Sequence, residues 1–230
     1  MTEIERQALW LSLQVASVAT LVSLPVAVAL ALALARGRWP GKALLEALVN
    51  LPLVLPPVVI GYALLVGFGR QGPLGSWLHE WFGITFVFTF RGAVLAAAVM
   101  ALPLMVRAVR QALEAVDRGL EDAARTLGAS RLDALASVTL PLAAPGLLSG
   151  AVLGFAASLG EFGATITFVS NVPGQTQTLP LAIYSALQSA DGGAAAARLV
   201  GMSIVLALAA LALAQWGHRR LARWLGQATP

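Results

Sequence analysis

Leu120-Glu121-Asp122-Ala123-Ala124-Arg125-Thr126-Leu127-Gly128 is polar where the chain on either side of it is not. The stretch reads as a short helix closed by glycine. Gly128 suits the left-handed position just past a helix end, Glu121 and Arg125 stand at i,i+4 spacing, and Leu120, Ala123, Ala124 and Leu127 share one face. Small alanines at its centre would let a partner's groove approach closely. Amphipathicity alone is met equally well by a helix that lies on a membrane surface or packs on its own subunit.

What surrounds this island is apolar. Hydrophobic residues make up 58% of the 230-residue chain and charged residues 11%, with a mean hydropathy of +0.80. A soluble domain carries about 25% charged residues, so these residues cannot cover a water-facing surface of this size. The chain reads as an all-α integral membrane protein. A hydrocarbon core of about 30 Å takes roughly 20 apolar residues as helix. Five runs meet that demand: Leu9–Ala35, Leu44–Phe68, Gly92–Val109 (beginning near Phe86), Ser137–Leu159 and Ala194–Trp216. Residues 161–190 hold two shorter apolar pieces, Phe162–Val169 and Leu179–Leu187, around the turn-forming Asn171-Val172-Pro173-Gly174. They read as an outer loop with a short embedded helix, and a sixth pass there is left open. The N-terminus carries Glu3 and Glu5 before a run longer than a signal core, so the first span is expected to be retained.

Charge sets the orientation. With five passes and the N-terminus outside, eleven basic residues face the cytoplasm: Arg36, Arg38, Lys42, Arg107, Arg110, Arg118, Arg125, Arg131, Arg219, Arg220 and Arg223. Four remain at the outer side: Arg6, Arg70, Arg91 and Arg198. The positive-inside rule selects this arrangement, with the C-terminus cytoplasmic. Trp10, Trp77 and Trp81 then fall at the outer interface, and Trp39 and Trp224 at the inner one. The same distribution explains the net charge of +4 without nucleic acid.

Other chemistries find little support. There is no cysteine, so disulfides, thiolate zinc sites and iron–sulfur clusters are excluded. Lys42, in Pro40-Gly41-Lys42-Ala43, lacks the glycine spacing and the following Ser/Thr of a phosphate loop. It reads as an orientation charge, and the chain as one without its own ATPase site. No catalytic acid pair, nucleophile triad or metal-ligand cluster stands out, and His79 and His218 read as interfacial. Proton- or sodium-coupled carriers place ionisable groups in the bilayer. Glu46, Glu161, Arg91 and Arg198 all fall near predicted span ends, which weakens that rival without removing it.

Asp122-Ala123-Ala124, Gly128 and Val138-Thr139-Leu140-Pro141 resemble the EAA loop of type I ABC import permeases: Glu-Ala-Ala, three residues, Gly, nine residues, Ile, one residue, Leu-Pro. Asp122 stands for Glu and Val138 for Ile, and the spacing holds throughout. Leu51–Val59, Arg91–Met100 and Ser158–Asn171 extend the likeness to molybdate-type permeases, from about Trp10 to Gln215. The resemblance implies an importer transmembrane domain over 10–215 with a cytoplasmic tail over 216–230. It further implies a homodimer in the bacterial inner membrane, in contact with lipid and with two ATP-binding subunits on the cytoplasmic side. A periplasmic or lipid-anchored binding protein would deliver molybdate or a related oxyanion (tungstate, sulfate, thiosulfate), and no cofactor is implied. Glu121, Asp122, Ala123, Ala124, Arg125 and Gly128 would couple the chain to the ATPase.

For an oxyanion, a weakly polar wall would permit passage without trapping the ion. Ser158, Thr165, Thr167 and Ser170 offer hydroxyls near the outer end of the fourth span, with Asn171 beside them. Glu161 would repel an anion and is expected to pair with Arg91 or Arg198. Prolines mark places to bend. Pro56-Pro57 and Pro141/Pro145 are the expected breaks, and Pro25 a tolerated one. Leu51–Gly61 and Leu140–Gly150 share Leu-Pro-Leu, two residues, Pro, four residues, Gly, the pattern a parallel internal repeat would leave.

Overall fold

The computed structural model describes residues 2–37, 39–190 and 192–224. The side chains at 214, 218, 219 and 221–224 fall outside that description. So do Arg38, residues 225–230 of the tail, and the expectations placed on His218, Arg219, Arg223 and Trp224.

Every element among the described residues is helical. The first, α1 (Glu3–Arg36), begins at a reciprocal cap: the Thr2 N–H donates to Glu5 at 2.8 Å, and the Glu5 N–H to the Thr2 hydroxyl at 3.3 Å. It runs through Pro25 without interruption, as the sequence suggested.

The second apolar run is two helices, α2 (Lys42–Val54) and α3 (Pro57–Phe68), bent by 115°. The break falls at the proline pair, where the sequence placed it, and it is a sharp bend within the apolar run. A proline pushes its predecessor out of the α region. Pro56 therefore extends Leu55 (ψ 145°) and Pro57 extends Pro56 (ψ 137°). Pro57 then opens α3 at the first helical position, where its missing N–H costs nothing. The two helices lie against different parts of the core: Val49 of α2 joins one half, while Ile60 and Leu64 of α3 join the other.

After the short α4 (Pro73–Phe82), the third span is α5 (Phe90–Ala115). It starts at Phe90 and not near Phe86. Phe88 has φ +59°, and the Thr89 hydroxyl caps the helix by accepting the Gly92 N–H at 3.3 Å. Next come α6 (Arg118–Thr126), α7 (Arg131–Ala134), a π-helical turn (Leu135–Thr139) and α8 (Leu140–Leu159). Pro141 has no N–H for the Ser137 carbonyl, and the ladder widens just before it: Leu140 donates to Leu135, five residues back. Pro145, expected to break the helix, lies inside continuous α8. The proposed repeat segments thus differ in form, one sharply bent and the other helical throughout.

α1, α5 and α8 form the centre of the bundle. On α8, Gly146, Gly150 and Gly154 recur every fourth residue and meet α5. A β-carbon at Gly146 would lie 2.1 Å from that of Ala112, and one at Gly154 would lie 2.4 Å from the Met105 sulfur. Small residues let membrane helices approach closely and gain van der Waals contact in a solvent that gives no hydrophobic drive between them.

Beyond α8 come α9 (Gly163–Val169) and α10 (Leu179–Leu187). At 1.5 Å per residue they span about 10 Å and about 14 Å, so neither makes a sixth pass. Ala164, Phe168 and Val169 pack into the half-core that holds Leu11, Val15 and Ala19 of α1, while the Leu179 N–H donates to the buried Ser12 hydroxyl at 2.7 Å. The last helix, α11 (Gly193–Trp224), lies against α8 and α10 and leaves Ile204, Val205, Leu208 and Leu211 exposed, an outer face suited to lipid. It continues past residue 215, so the expected domain boundary falls within a helix.

Candidate functional site

Basic and acidic side chains gather at one end of the bundle. Arg110 of α5 pairs with Glu46 of α2 and with Glu114, each at 2.8 Å, and Arg107 donates to Asn50 at 2.8 Å. Arg36, the last residue of α1, meets Glu121 of α6. The opposite end holds the Glu5–Arg198 pair and the Ser12–Leu179 contact. Sequence reasoning placed Glu46 and Arg110 near span ends but had no means of pairing them across 64 positions.

At the first end α6 stands clear of the bundle. Asp117 caps it, accepting the Gly119 N–H at 2.9 Å. No residue of the helix is buried, and Leu127 is 90% exposed. Gly128 closes it as the spacing predicts, with φ +99°. The Ala129 N–H donates to Ala124 at 3.1 Å and the Gly128 N–H to Arg125 at 3.0 Å, the two bonds of a Schellman ending. Four of the six sequence-selected residues, Asp122, Ala123, Arg125 and Gly128, lie on the open side, and Ala124 is half-buried. Asp122 and Arg125 line a cleft of about 320 Å³ with Arg36, Arg131 and Leu132.

Glu121 is the exception. It does not pair with Arg125 as expected. Its carboxylate turns inward, accepting from the Arg36 guanidinium and from the buried Thr139 hydroxyl of the π-helical turn. Arg36 also donates to that hydroxyl at 3.5 Å. The i,i+4 rule identifies a partner on the same helix, but a guanidinium at the end of α1, sharing the carboxylate with a hydroxyl, is the better-enclosed alternative.

The second group of candidates lies at the opposite end. Glu161 sits in the turn between α8 and α9, with only 9% of its surface exposed. It pairs with neither Arg91 nor Arg198. Its carboxylate accepts the Ala164 N–H at 2.7 Å and so satisfies one of the free donors at the start of α9. Arg198 instead binds Glu5. Ser158 and Thr165 are buried; Thr167 is half-buried and donates its hydroxyl to the Gly163 carbonyl at 2.9 Å. Ser170, also half-buried, holds φ +62° and accepts the Thr176 hydroxyl at 3.0 Å. Asn171 donates to the Ser185 hydroxyl at 2.6 Å and accepts from Gln177 at 3.0 Å. Thr176 and Gln177 escaped sequence reasoning because they lie in a stretch whose polarity reads as loop, and Ser185 because it sits inside an apolar run.

Several long apolar helices with a polar helix exposed at one end define a polytopic membrane protein. The chain belongs to the family described as binding-protein-dependent transport system inner membrane component, whose profile matches residues 23–223. It is 58% identical over 94% of both chains to the molybdenum transport system permease protein ModB of Escherichia coli K12. The ModB of Haemophilus influenzae is 53% identical over 97% of both. The sulfate transport system permease protein CysT of Escherichia coli is 40% identical over 77% of this chain and 63% of its own. Among solved structures, the inward-facing MetNI methionine ABC transporter superposes with a TM-score of 0.75 at 18% identity, over 96% of this chain and 99% of that one. A bacterial alginate ABC transporter gives 0.75 at 19% identity, over 100% and 82%. The fold is that of type I ABC importer permeases, and the relatives are transport subunits, not enzymes.

Proposed function

We propose that this chain is the permease subunit of an ATP-driven molybdate importer, acting as a homodimer in the bacterial inner membrane with the α6 end cytoplasmic. Two ATP-binding subunits would dock on the α6 helices, and a periplasmic or lipid-anchored binding protein would deliver the oxyanion at the opposite end. The observation that carries the reading is α6 itself: a capped helix with no buried residue, ending at the exposed, apolar Leu127, while Glu121 ties its other side to the bundle. Such a helix is poised to meet a soluble partner and to pass that partner's movement to the spans.

The orientation is supported by the clustering of Arg36, Arg107, Arg110, Arg118, Arg125 and Arg131 at the α6 end. The proposed transmembrane unit comprises residues 10–215, followed by the cytoplasmic tail 216–230. Asp122, Ala123, Ala124, Arg125 and Gly128 form the docking face, and Glu121 its inner anchor. Thr167 and Ser170, with Ser158, Glu161 and Thr165 behind them, are the proposed polar lining of the pathway. Molybdate is supported by the two ModB relatives, and sulfate is the second reading because of the likeness to CysT.

The test is reconstitution with the ATPase and binding protein in proteoliposomes, comparing the native chain with Gly128→Pro. ATP-dependent molybdate uptake that Gly128→Pro abolishes supports the proposal, and competition by tungstate, sulfate and thiosulfate sets the substrate range. Uptake that needs no ATPase and follows a proton or sodium gradient would overturn it.

A further inference from the structure

α6 hangs between two short connections, Val116-Asp117 after α5 and residues 127–130 before α7. Among the described residues, Glu121 makes the side-chain hydrogen bonds that leave the helix for another element. Its partners are informative. Arg36 lies 85 residues away at the C-terminal end of α1, where a cation also meets the negative end of the helix dipole. Thr139 is fully buried at the last position of the π-helical turn, where α8 begins. The arginine and glutamate side chains are 29% and 16% exposed. Loss of one would leave the other charge largely enclosed and unpaired.

We propose that Arg36 is a positioning residue of the docking helix, and that the Arg36–Glu121–Thr139 junction delivers displacement of α6 to the first span. This inference rests on the reading of α6 as the ATPase-docking helix. Through the chain alone, α6 can pull only on α5 and α8. The π-helical turn between α6 and α8 also departs from the regular hydrogen-bond ladder. The junction bridges that turn and adds α1, which packs along both α5 and α8. A push on α6 therefore moves three central helices as a unit, where the two short connections alone would carry it only to α5 and α8.

The test uses the full transporter in proteoliposomes with three variants: Arg36→Ala, Arg36→Lys and Thr139→Val. The ATPase should co-purify with Arg36→Ala as with the native chain, while molybdate imported per ATP hydrolysed falls about tenfold, a typical size for a lost coupling contact. Arg36→Lys keeps the charge beside Glu121 and should recover most of the ratio. Thr139→Val removes a hydroxyl and no charge, so it keeps the test decisive if Arg36→Ala misassembles, and it should lower the ratio to an intermediate value. An unchanged ratio in Thr139→Val, or in a folded Arg36→Ala, overturns this inference alone. Loss of ATPase co-purification in Arg36→Ala also overturns it, since the junction would then shape the docking face instead of transmitting from it. Absence of ATP-dependent uptake by the native chain removes the underlying reading as well.

Discussion

Glu5 and Arg198 lie 193 residues apart and meet through contacts of 2.7 and 2.9 Å between the first turn of α1 and the first turns of α11. The carboxylate is enclosed and also caps α1 through Thr2, while the guanidinium is about half exposed, at 49%. The starts of the first and last helices are thereby held together on the side away from α6.

This asymmetry makes the two halves of the pair unequal. Arg198→Ala strands an enclosed carboxylate, so it should lower the thermal unfolding midpoint in detergent more than Arg198→Lys. Glu5→Gln retains an oxygen acceptor for the Thr2 N–H and leaves Arg198 to solvent, so it should fall between them. Equal midpoints for Arg198→Ala and Arg198→Lys would show that the charge pair does not hold α11 to α1.

At Gly128 the constraint is conformational and not spatial. A β-carbon there would meet nothing within 4 Å, yet φ is +99°. Gly128→Ala should therefore cost about 1 kcal/mol at the end of α6 and reduce ATP-dependent uptake. Gly128→Asn, which visits positive φ more readily, should be milder. The order of uptake expected is glycine, asparagine, alanine, proline.

The α5–α8 contact should behave as a matched surface. Gly146→Ala brings two β-carbons to 2.1 Å, an overpacking that typically costs about 1–3 kcal/mol. Adding Ala112→Gly should recover part of that loss despite its own helix-propensity cost of about 1 kcal/mol. A double-mutant cycle on detergent stability checks the coupling, and strict additivity of the two changes would refute direct contact.

Glu161 is predicted to act as a helix cap and not as an anion gate. Glu161→Ala leaves the Ala164 N–H without its acceptor and should lower folded yield, at about 1 kcal/mol for a lost cap. Glu161→Gln keeps an oxygen in place and should assemble normally. A normal yield of Glu161→Ala with altered oxyanion preference would show that the carboxylate acts on the anion and not as a cap.

Much of the α6 end was legible in the sequence because its signals are local. The glycine ending, the polar island and the proline pair each act within a few residues, and each appears where the spacing put it. The partner of Glu121 was not legible: i,i+4 spacing names Arg125, while Arg36 is near only after α1 has packed beside α8. Glu161 failed for a related reason. Seeking an arginine for a buried acid overlooks the backbone donors of a helix that begins two residues later. The Gly146-Gly150-Gly154 row has a period of four in the sequence, but which helix it faces is set only by packing against Met105, Val109 and Ala112.

Composition and apolar run length by themselves determined that this chain lives in a membrane as helices, because a bilayer demands internally satisfied backbone and a fixed span length. The spacing of Asp122, Ala123, Ala124, Gly128 and Leu140-Pro141 likewise determined its resemblance to importer permeases. Only the tertiary structure decided that α2 and α3 part at 115°, that α9 and α10 stay at one end, and that Arg36 holds Glu121. Those outcomes depend on which helices lie side by side, and sequence carries that information only through long-range packing.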